Sequence, residues 1–323
     1  MREASGGVAV CLMGPTATGK TELAMALADR LPVGLISVDS AMVYRHLDIG
    51  SGKPPPEVLA RYPHRLVDIR EPWQQYSAGD FASDAAQAVR DVSASGGIPL
   101  LVGGTFLYFR SLVQGLSVLP AADPVLRADL DARAVQEGWP ALHAELARLD
   151  PRAAARIGVT DRQRIQRALE VFLVTGQPIS ALQGRPAVGR GRFFRIGLVP
   201  RDRPALAERI RGRFQAMLGR GFIAEVERLL SLPGMHADRP ALRAVGYRQI
   251  ARYVGGGCTR AEAEEQALAA TRQLAKRQLT WFRAERDGFV LEPLAPDLVA
   301  AATARIELFR APQASAGERR PGG

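Results

Sequence analysis

Short apolar runs of strand length alternate with amphipathic helical stretches over the first 115 residues of the chain. The run at 98–102 is apolar throughout, which is typical of a strand buried on both faces of a parallel sheet. The alternation therefore predicts an α/β fold, in which helices flank a parallel sheet and ligand-binding loops lie at the carboxyl ends of the strands. The predicted strands are 8–13, 34–38, 65–69 and 98–102, and the predicted helices are 21–31, 78–94 (capped by Ser77) and 106–112.

The pattern changes after residue 115, and no further strand is indicated until residue 192. Helical spacing with Gly and Pro at the joints predicts an inserted helical subdomain, after which a strand at 192–199 returns to the sheet. The C-terminal part is helical except for a short extended piece at 289–291. The further predicted helices are 124–137, 140–149, 151–157, 161–175, 203–218, 223–232, 247–254, 260–285 and 297–310. The predicted divisions are the first part of the core (1–115), the insertion (116–184), the return strand with the C-terminal helices (185–311) and a disordered polar tail (312–323).

The loop between the first strand and the first helix has the spacing of a phosphate-binding loop (P-loop). It matches G-x-x-x-x-G-K-[ST], in which glycines let backbone N–H groups approach phosphate oxygens and the helix N-terminus adds positive potential. Lys20, expected to face solvent in an empty loop, supplies a mobile charge, and the Thr21 hydroxyl is a candidate Mg²⁺ ligand. The pattern predicts that a di- or triphosphate binds to Gly14, Pro15, Thr16, Ala17, Thr18, Gly19, Lys20 and Thr21.

Asp39 directly follows the second predicted strand, on the sheet edge that carries the P-loop. We expect the first two strands to be near neighbours, which brings the Asp39 carboxylate close to the phosphate site. There it can hold Mg²⁺ through water or accept a proton from a nucleophile, and a turn-forming role is the alternative. The strand at 98–102 runs into Gly103-Gly104-Thr105 and lacks the terminal acid usual in P-loop NTPases. This favours a reaction in which diphosphate is the leaving group.

The chain is basic, because 43 Lys and Arg residues against 33 Asp and Glu residues give a formal net charge of +10. Such an excess is expected of a protein that binds a polyanion. A bias toward Arg, which leaves only Lys20, Lys53 and Lys276 as lysines, is the alternative. No stretch approaches the roughly 18 apolar residues of a membrane span, and Cys11 and Cys258 form no disulfide or metal pattern. We expect a cytoplasmic monomer with no membrane partner.

Arg and Gln recur together in three segments that show no balancing acid nearby. In the last of them Arg272, Lys276 and Arg283 fall on one stripe of a predicted helix, while Leu279 and Phe282 can face a core. Cations interleaved with Gln, Thr and Trp suit RNA, because phosphates bind the cations and bases stack or form hydrogen bonds. A solvated cationic surface is the alternative. We predict a shared RNA-facing groove formed by 163–167, 243–249 and 273–283.

Seven segments of the chain form a specific pattern: GPTATGKTELA, LISVDSAMVYRHLDIGSGKP, PHRLVDI, PLLVGGTFLYFRSLVQGL, QRIQRALEV, RAVGYRQ and TRQLAKRQLTWFR. Together they resemble the bacterial tRNA dimethylallyltransferases (tRNA isopentenyltransferases), in register from about residue 8 to 285. The resemblance implies transfer of the dimethylallyl group from dimethylallyl diphosphate to the exocyclic amine of the adenosine immediately 3′ of the anticodon, in tRNAs that read codons beginning with U. It also implies a Mg²⁺ requirement and the tRNA anticodon stem-loop as the partner.

The resemblance further implies roles for individual residues. It places a prenyl diphosphate on the P-loop and makes Asp39 the general base for the attacking amine. Thr16 and Lys20 complete the predicted catalytic set. The positions implied to bind tRNA are Asp39, Ser40, Ala41, Met42, Thr105, Arg127, Gln163, Arg164, Ile165, Gln166, Arg167, Arg243, Ala244, Val245, Gly246, Tyr247, Arg248, Lys276, Arg277, Gln278, Leu279, Thr280, Trp281, Phe282 and Arg283.

Three other functions stay open from the residues. An adenylate isopentenyltransferase acting on free AMP or ATP would share Lys20 and Asp39 but would not need three basic segments. A P-loop small-molecule kinase would turn over ATP. A non-enzymatic RNA-binding protein would leave the P-loop unexplained.

Overall fold

The chain divides into two compact units. One is formed by Met1–Val113 together with Arg190–Gly323, and the other by Gln114–Gly189. No described helix is both long enough and apolar enough to cross a membrane. The tail expected to be disordered, 312–323, lies outside the described residues. The structure is a computed structural model and describes residues 8–115, 117, 119–183, 192–284 and 288–310.

The first unit is built on a parallel sheet of six strands, which confirms the predicted α/β fold class. The strands are β1 (Val8–Met13), β2 (Val33–Val38), β3 (His64–Arg65), β4 (Ile98–Gly103), β5 (Arg192–Leu198) and β6 (Gly288–Leu291), in the spatial order β3-β2-β4-β1-β5-β6. The helices are α1 (Lys20–Ala28), α2 (Pro56–Arg61), α3 (Ala78–Ala94), α4 (Phe106–Val113), α5 (Pro124–Glu137), α6 (Trp139–Leu149), α7 (Pro151–Ala154), α8 (Arg162–Thr175), α9 (Ile179–Leu182), α10 (Arg203–Gly219), α11 (Phe222–Ser231), α12 (Tyr247–Val254), α13 (Arg260–Ala284) and α14 (Leu298–Arg310).

β4 lies between β1 and β2, so the first two strands, expected to be near neighbours, are one strand apart and do not pair with each other. Leu100 of β4 pairs with Val10 on one side and with Leu35 on the other. All six residues of β4 are buried, and an apolar strand of this kind is stabilised most at the centre of a sheet that helices cover on both faces. Because these pairings are parallel, the carboxyl ends of β1, β2 and β4 still meet at one edge.

Helices cover the sheet on both faces. On one face α1 and α14 bury Leu27 and Ile306, and on the other α3 and α13 bury Phe81 and Phe282. Burying a side chain of this size contributes about 1.5–3 kcal/mol. Phe282 lies so close to Gly197 of β5 that an added Cβ would overlap its ring. α13 therefore packs directly on the sheet at this point.

Local backbone conformation explains where elements differ from the sequence pattern. The strand expected at 65–69 is only the two-residue β3, because Leu66 and Asp68 adopt left-handed φ values of 65° and 56° and leave the ladder. The pattern does not indicate α2 or α9, since 6 and 4 residues are too few to establish a helical period. The predicted cap of α3 is confirmed, because Ser77 and Asp80 form a capping box.

The second unit is helical and comprises α5 to α9. Its core includes the fully buried side chains of Leu142, Leu146 and Ile165. α5 and α8 begin after Asp123 and Asp161, whose carboxylates accept hydrogen bonds from backbone N–H groups of the first turn. The sequence pattern and the observed starts of these helices agree because both caps are local.

Candidate active site

The P-loop closes tightly between β1 and α1. Gly14 passes so near β5 that an added Cβ would lie 2.7 Å from the Leu198 carbonyl oxygen, and Gly19 has a left-handed φ of 81°. The buried Thr18 hydroxyl donates to the Pro15 carbonyl at 2.8 Å and fixes the turn from inside. The backbone N–H groups of Thr18 and Gly19 meet no acceptor among the described residues, so they are available to phosphate oxygens.

Lys20 is half-buried, which corrects the expectation that it faces solvent. Its ammonium group donates to the Pro15 carbonyl oxygen at 2.5 Å. Burial, together with the positive charge of Arg213, lowers the pKa of Lys20 to about 7, and the negative charges of Asp39 and Glu22 oppose this shift. A diphosphate placed here would favour the charged form, because it supplies compensating negative charge.

Asp39 has the turn-forming role and leaves one carboxylate oxygen for the other role that the sequence left open. Its Oδ1 accepts hydrogen bonds from Ala41 N at 2.8 Å and Met42 N at 3.2 Å, which is the turn-forming role. Its Oδ2 accepts no hydrogen bond from the described part of the chain. One carboxylate oxygen therefore fixes the loop after β2, and the other is available to a substrate proton.

Arg213 on α10 is a second cation beside Lys20, and sequence reasoning missed it. Its guanidinium lies against Gly52, where an added Cβ would overlap it. Burial lowers the pKa of Arg213, while the charges of Asp39 and Glu22 act in the opposite direction. α10 carries several arginines with no motif to distinguish them, so only the packing of the helix shows that Arg213 interacts electrostatically with Lys20 and Asp39.

The buried amide of Gln278 on α13 joins the P-loop to the turn after β4. Its Oε1 accepts from Thr16 N at 3.1 Å, and its Nε2 donates to the Gly104 carbonyl at 2.8 Å. An added Cβ at Gly104 would overlap Nε2, so a glycine is needed for this approach. The amide of Gln278, a predicted tRNA-binding position, is therefore bound inside the protein.

These groups line one open cavity of about 460 Å³ within the first unit. Ser40 N donates to Thr105 Oγ1 at 3.2 Å, which joins the Asp39 loop to the start of α4. The cavity brings together the predicted residues Thr16, Ala17, Lys20, Thr21, Asp39, Ser40, Ala41, Met42, Thr105, Arg243, Ala244, Val245, Gly246, Arg277, Gln278 and Trp281. It adds residues that the sequence did not indicate, among them His64, Arg213, Phe214, Met217, Phe222 and Thr271.

Other predicted tRNA-binding residues fall into two groups. In the first group the side chains pack in hydrophobic cores with at most 7% of their surface exposed, namely Ile165, Tyr247, Leu279 and Phe282. These residues support the elements that carry their neighbours. The exposed residues outside the cavity lining are Arg248, Lys276, Thr280 and Arg283, and together they keep a cationic surface on α12 and α13.

In the second unit, the expectation of a basic segment without balancing acids is wrong. The buried carboxylate of Glu170 binds Arg127 at 2.8 and 3.0 Å and Arg167 at 2.6 Å. The backbone carbonyl of Arg127 accepts from Gln166 Nε2 at 3.2 Å. Arg164 lies 3.4 Å from Asp161 but leaves 70% of its side chain exposed. Arg164 and the exposed Gln163 are thus the members of this segment that remain open to RNA.

Mg²⁺ fits this site only together with a phosphate ligand. No group of three or more His, Cys, Asp or Glu side chains that could hold a metal occurs among the described residues. Thr21 and Asp39 both line the cavity and offer oxygen ligands. Mg²⁺ commonly binds through one or two protein oxygens, substrate phosphates and water, and these two side chains satisfy that pattern.

Comparison with known proteins matches residues 42–285 to the family model described as IPP transferase. The chain belongs to this family. The resemblance seen in the sequence is confirmed, and the family match includes the segments at 163–167, 243–249 and 273–283. The P-loop lies before the matched residues, so its assignment depends on its own motif and geometry.

Individual members of the IPP transferase family are similar to this chain along most of their length. The chain is 55% identical over 293 residues to the tRNA dimethylallyltransferase of Stenotrophomonas maltophilia, covering 88% of this chain and 92% of that one. It is 50% identical over 302 residues to the tRNA dimethylallyltransferase of Burkholderia multivorans, covering 92% and 93%. The crystal structure of the tRNA isopentenylpyrophosphate transferase of Bacillus halodurans is similar with a TM-score of 0.68 and 33% identity, covering 94% and 96%. A eukaryotic dimethylallyltransferase acting on tRNA, at 22% identity and a TM-score of 0.75, supports the fold alone.

Proposed function

We infer that this chain is a tRNA dimethylallyltransferase. It transfers the dimethylallyl group from dimethylallyl diphosphate to the exocyclic amine of the adenosine immediately 3′ of the anticodon, in tRNAs that read codons beginning with U, and it releases diphosphate. The observation that carries this inference is one cavity lined by both Lys20 of a P-loop and Asp39, in a member of the IPP transferase family. The relatives support tRNA prenylation rather than the alternative functions.

The attacking amine is a weak nucleophile, because its lone pair is delocalised into the adenine ring. Asp39 Oδ2 is the group that accepts its proton, since Oδ1 is already bound to Ala41 N and Met42 N. The fixed loop holds the carboxylate in place during the reaction. Extrusion of the base from the anticodon loop into the cavity gives the alignment that an in-line attack requires.

Negative charge grows on the bridging oxygen of the diphosphate as the bond to the prenyl carbon breaks. Lys20, Arg213 and the free N–H groups of the P-loop are the donors that we assign to this charge. Fixed donors of this kind stabilise a transition state without reorganisation at the moment of reaction. The Thr21 hydroxyl, together with the diphosphate, would hold Mg²⁺, which would supply further positive charge at this point.

The exposed cations of α12 and α13 form the surface on which we place the anticodon stem-loop. Arg243 and Arg277 line the cavity, and Arg248, Lys276 and Arg283 are exposed beyond it. Phosphates of the stem match such a surface, whereas the target base enters the cavity. Arg164 and Gln163 are a separate candidate tRNA contact within the second unit. Because the substrate is tRNA, we expect the enzyme to act in the cytoplasm, and we expect it to be a monomer.

One experiment separates this function from its alternatives. The protein is incubated with labelled dimethylallyl diphosphate and Mg²⁺, and with either unmodified tRNA or AMP as acceptor. We expect label in tRNA, at one adenosine, and none in AMP. Label in AMP alone would identify a free-nucleotide prenyltransferase. ATP turnover without prenyl transfer would identify a kinase, and tRNA binding without transfer would identify an RNA-binding protein.

A further inference from the structure

A buried carboxylate outside the reacting groups binds the backbone of the loop that follows β2. Glu225 on α11 is 3% exposed. Its Oε2 accepts from Asp48 N at 3.2 Å and Ile49 N at 2.7 Å, and its Oε1 accepts from Gly50 N at 3.1 Å. Three consecutive N–H groups thus converge on one side chain. No cationic side chain pairs with Glu225 in the described part of the chain, so hydrogen bonds alone stabilise its charge.

Tyr247 on α12 extends this arrangement by one residue. Its hydroxyl donates to Glu225 Oε1 at 2.5 Å and accepts from Ser51 N at 3.0 Å. Burial and the neighbouring carboxylate raise the pKa of Tyr247, so the hydroxyl keeps the proton that it donates. Two side chains therefore hold the four N–H groups of the segment 48–51, and both come from helices that follow far along the chain.

The segment 48–51 and the adjoining Gly52 lie directly behind two residues of the cavity wall. Gly50 is so close to the Phe222 ring, and Gly52 so close to the Arg213 guanidinium, that a Cβ on either glycine would overlap its neighbour. Gly50 and Phe222 themselves line the cavity. The Arg213 guanidinium thus packs directly against the Gly52 backbone, so the position of this segment bears on where the guanidinium lies.

We propose that Glu225 is a positioning residue for prenyl transfer, which holds Arg213 at the diphosphate through the segment 48–51. The proposal rests on the proposed function, since it assigns Arg213 to the leaving group. Glu225 contacts neither substrate. It acts by fixing the distance between the Arg213 guanidinium and Lys20, and Tyr247 supports it through Ser51 N.

The test compares Glu225→Gln with Arg213→Gln and with the double variant, using inorganic diphosphate and Mg²⁺ in a calorimetric binding titration. Glu225→Gln presents an NH₂ donor to backbone donors and releases part of the segment. We expect diphosphate to bind about tenfold more weakly, since hydrogen bonds to charged groups are worth this much in affinity. If Glu225 acts through Arg213, the double variant binds diphosphate no more weakly than Arg213→Gln alone.

Two further variants keep the proposal testable if Glu225→Gln folds poorly. Tyr247→Phe removes only the hydroxyl and is expected to raise the KM for dimethylallyl diphosphate in the same direction. Asp150→Asn is the matched control, because Asp150 is also buried and accepts backbone N–H groups of Ala153 and Ser180, but it lies in the second unit. Loss of folded protein alone lowers the apparent kcat and leaves this KM unchanged, which is the behaviour expected of Asp150→Asn.

Wild-type diphosphate affinity in both Glu225→Gln and Tyr247→Phe would overturn the positioning role. Independent, multiplying losses in the double variant would overturn it as well. Failure of the wild-type protein to prenylate tRNA in the activity assay that measures KM would instead overturn the proposed function, so the two failures are distinguishable.

Discussion

Asp39→Asn tests the assignment of the proton acceptor with the least change to the structure. The amide oxygen of Asn can accept the hydrogen bonds from Ala41 N and Met42 N, so the loop after β2 keeps its turn. Only the oxygen that receives the substrate proton is replaced by a donor. We therefore expect a large loss of rate with almost no loss of stability.

The magnitude follows from the role of the lost group. Loss of a general base lowers the rate by roughly 10²–10⁴-fold, which corresponds to about 2.7–5.5 kcal/mol of transition-state stabilisation. Asp39→Ala is the matched comparison, because it removes the two turn hydrogen bonds as well, at about 1 kcal/mol each. The two variants should thus lose similar rate but differ in the free energy of unfolding by about 1–2 kcal/mol.

The assay is single-turnover prenyl transfer at saturating tRNA and saturating dimethylallyl diphosphate, so that the chemical step and not product release is observed. tRNA affinity is measured in parallel and should change little in Asp39→Asn. If Asp39→Asn reacts within about fivefold of the wild-type rate, proton acceptance by Asp39 is refuted. Asp39 would then serve only the turn and the cavity wall.

Three further predictions concern the buried charge of Lys20, the packing of Gly104 against Gln278 and the cationic surface of α13. Lys20→Met should raise the free energy of unfolding at pH 7, because folding lowers the pKa of Lys20 from 10.5 to about 7 and the folded protein carries an unfavourable buried charge below that pH. The advantage of the variant should shrink as the pH rises from 7 toward 10.5, and denaturation curves with a pH-independent difference would contradict this. Gly104→Ala should destabilise the protein by about 1–3 kcal/mol and slow turnover, because it displaces Gln278. Gly212 is an exposed helical glycine with open space around it, so Gly212→Ala should stabilise the protein by about 0.4–1 kcal/mol. Equal thermal shifts in the two variants would count against the packing argument. Replacing Arg272, Lys276 and Arg283 together by Gln should flatten the salt dependence of tRNA binding by roughly two units for every substrate tRNA, and an unchanged slope in a folded variant would assign this face to solvent.

Local features of this molecule could be predicted because local chemistry determines them. The P-loop follows from glycine spacing between a strand and a helix, and α3 begins at Ser77 because Ser77 and Asp80 cap each other. The loop positions of Asp39 and Thr105 follow from the ends of two apolar runs. Each of these inferences needs only residues within one short stretch of chain.

Features that depend on distant residues could not be predicted from one sequence. Arg213 is one arginine among several on α10, and only packing places it beside Lys20. The sequence predicted that Gln278 contacts RNA. Its amide instead binds Thr16 and Gly104, which are 262 and 174 residues away from it in the chain. Glu170 is 43 residues from Arg127, so the sequence did not show that this arginine was already paired. The place of β4 between β1 and β2 was not predicted for the same reason, since strand order is a property of the whole sheet.

The contact of Phe282 with Gly197 has a consequence for the distance between the two bound substrates. α13 has 25 residues and is about 37 Å long. Phe282 fixes this helix to the sheet, and Gln278 fixes it to the P-loop one turn away. The cations at 272, 276 and 283 therefore stand at set distances from the phosphate site. A tRNA held by those cations is also held at a defined distance from the diphosphate, so a single rigid helix gives both substrates one common frame of reference.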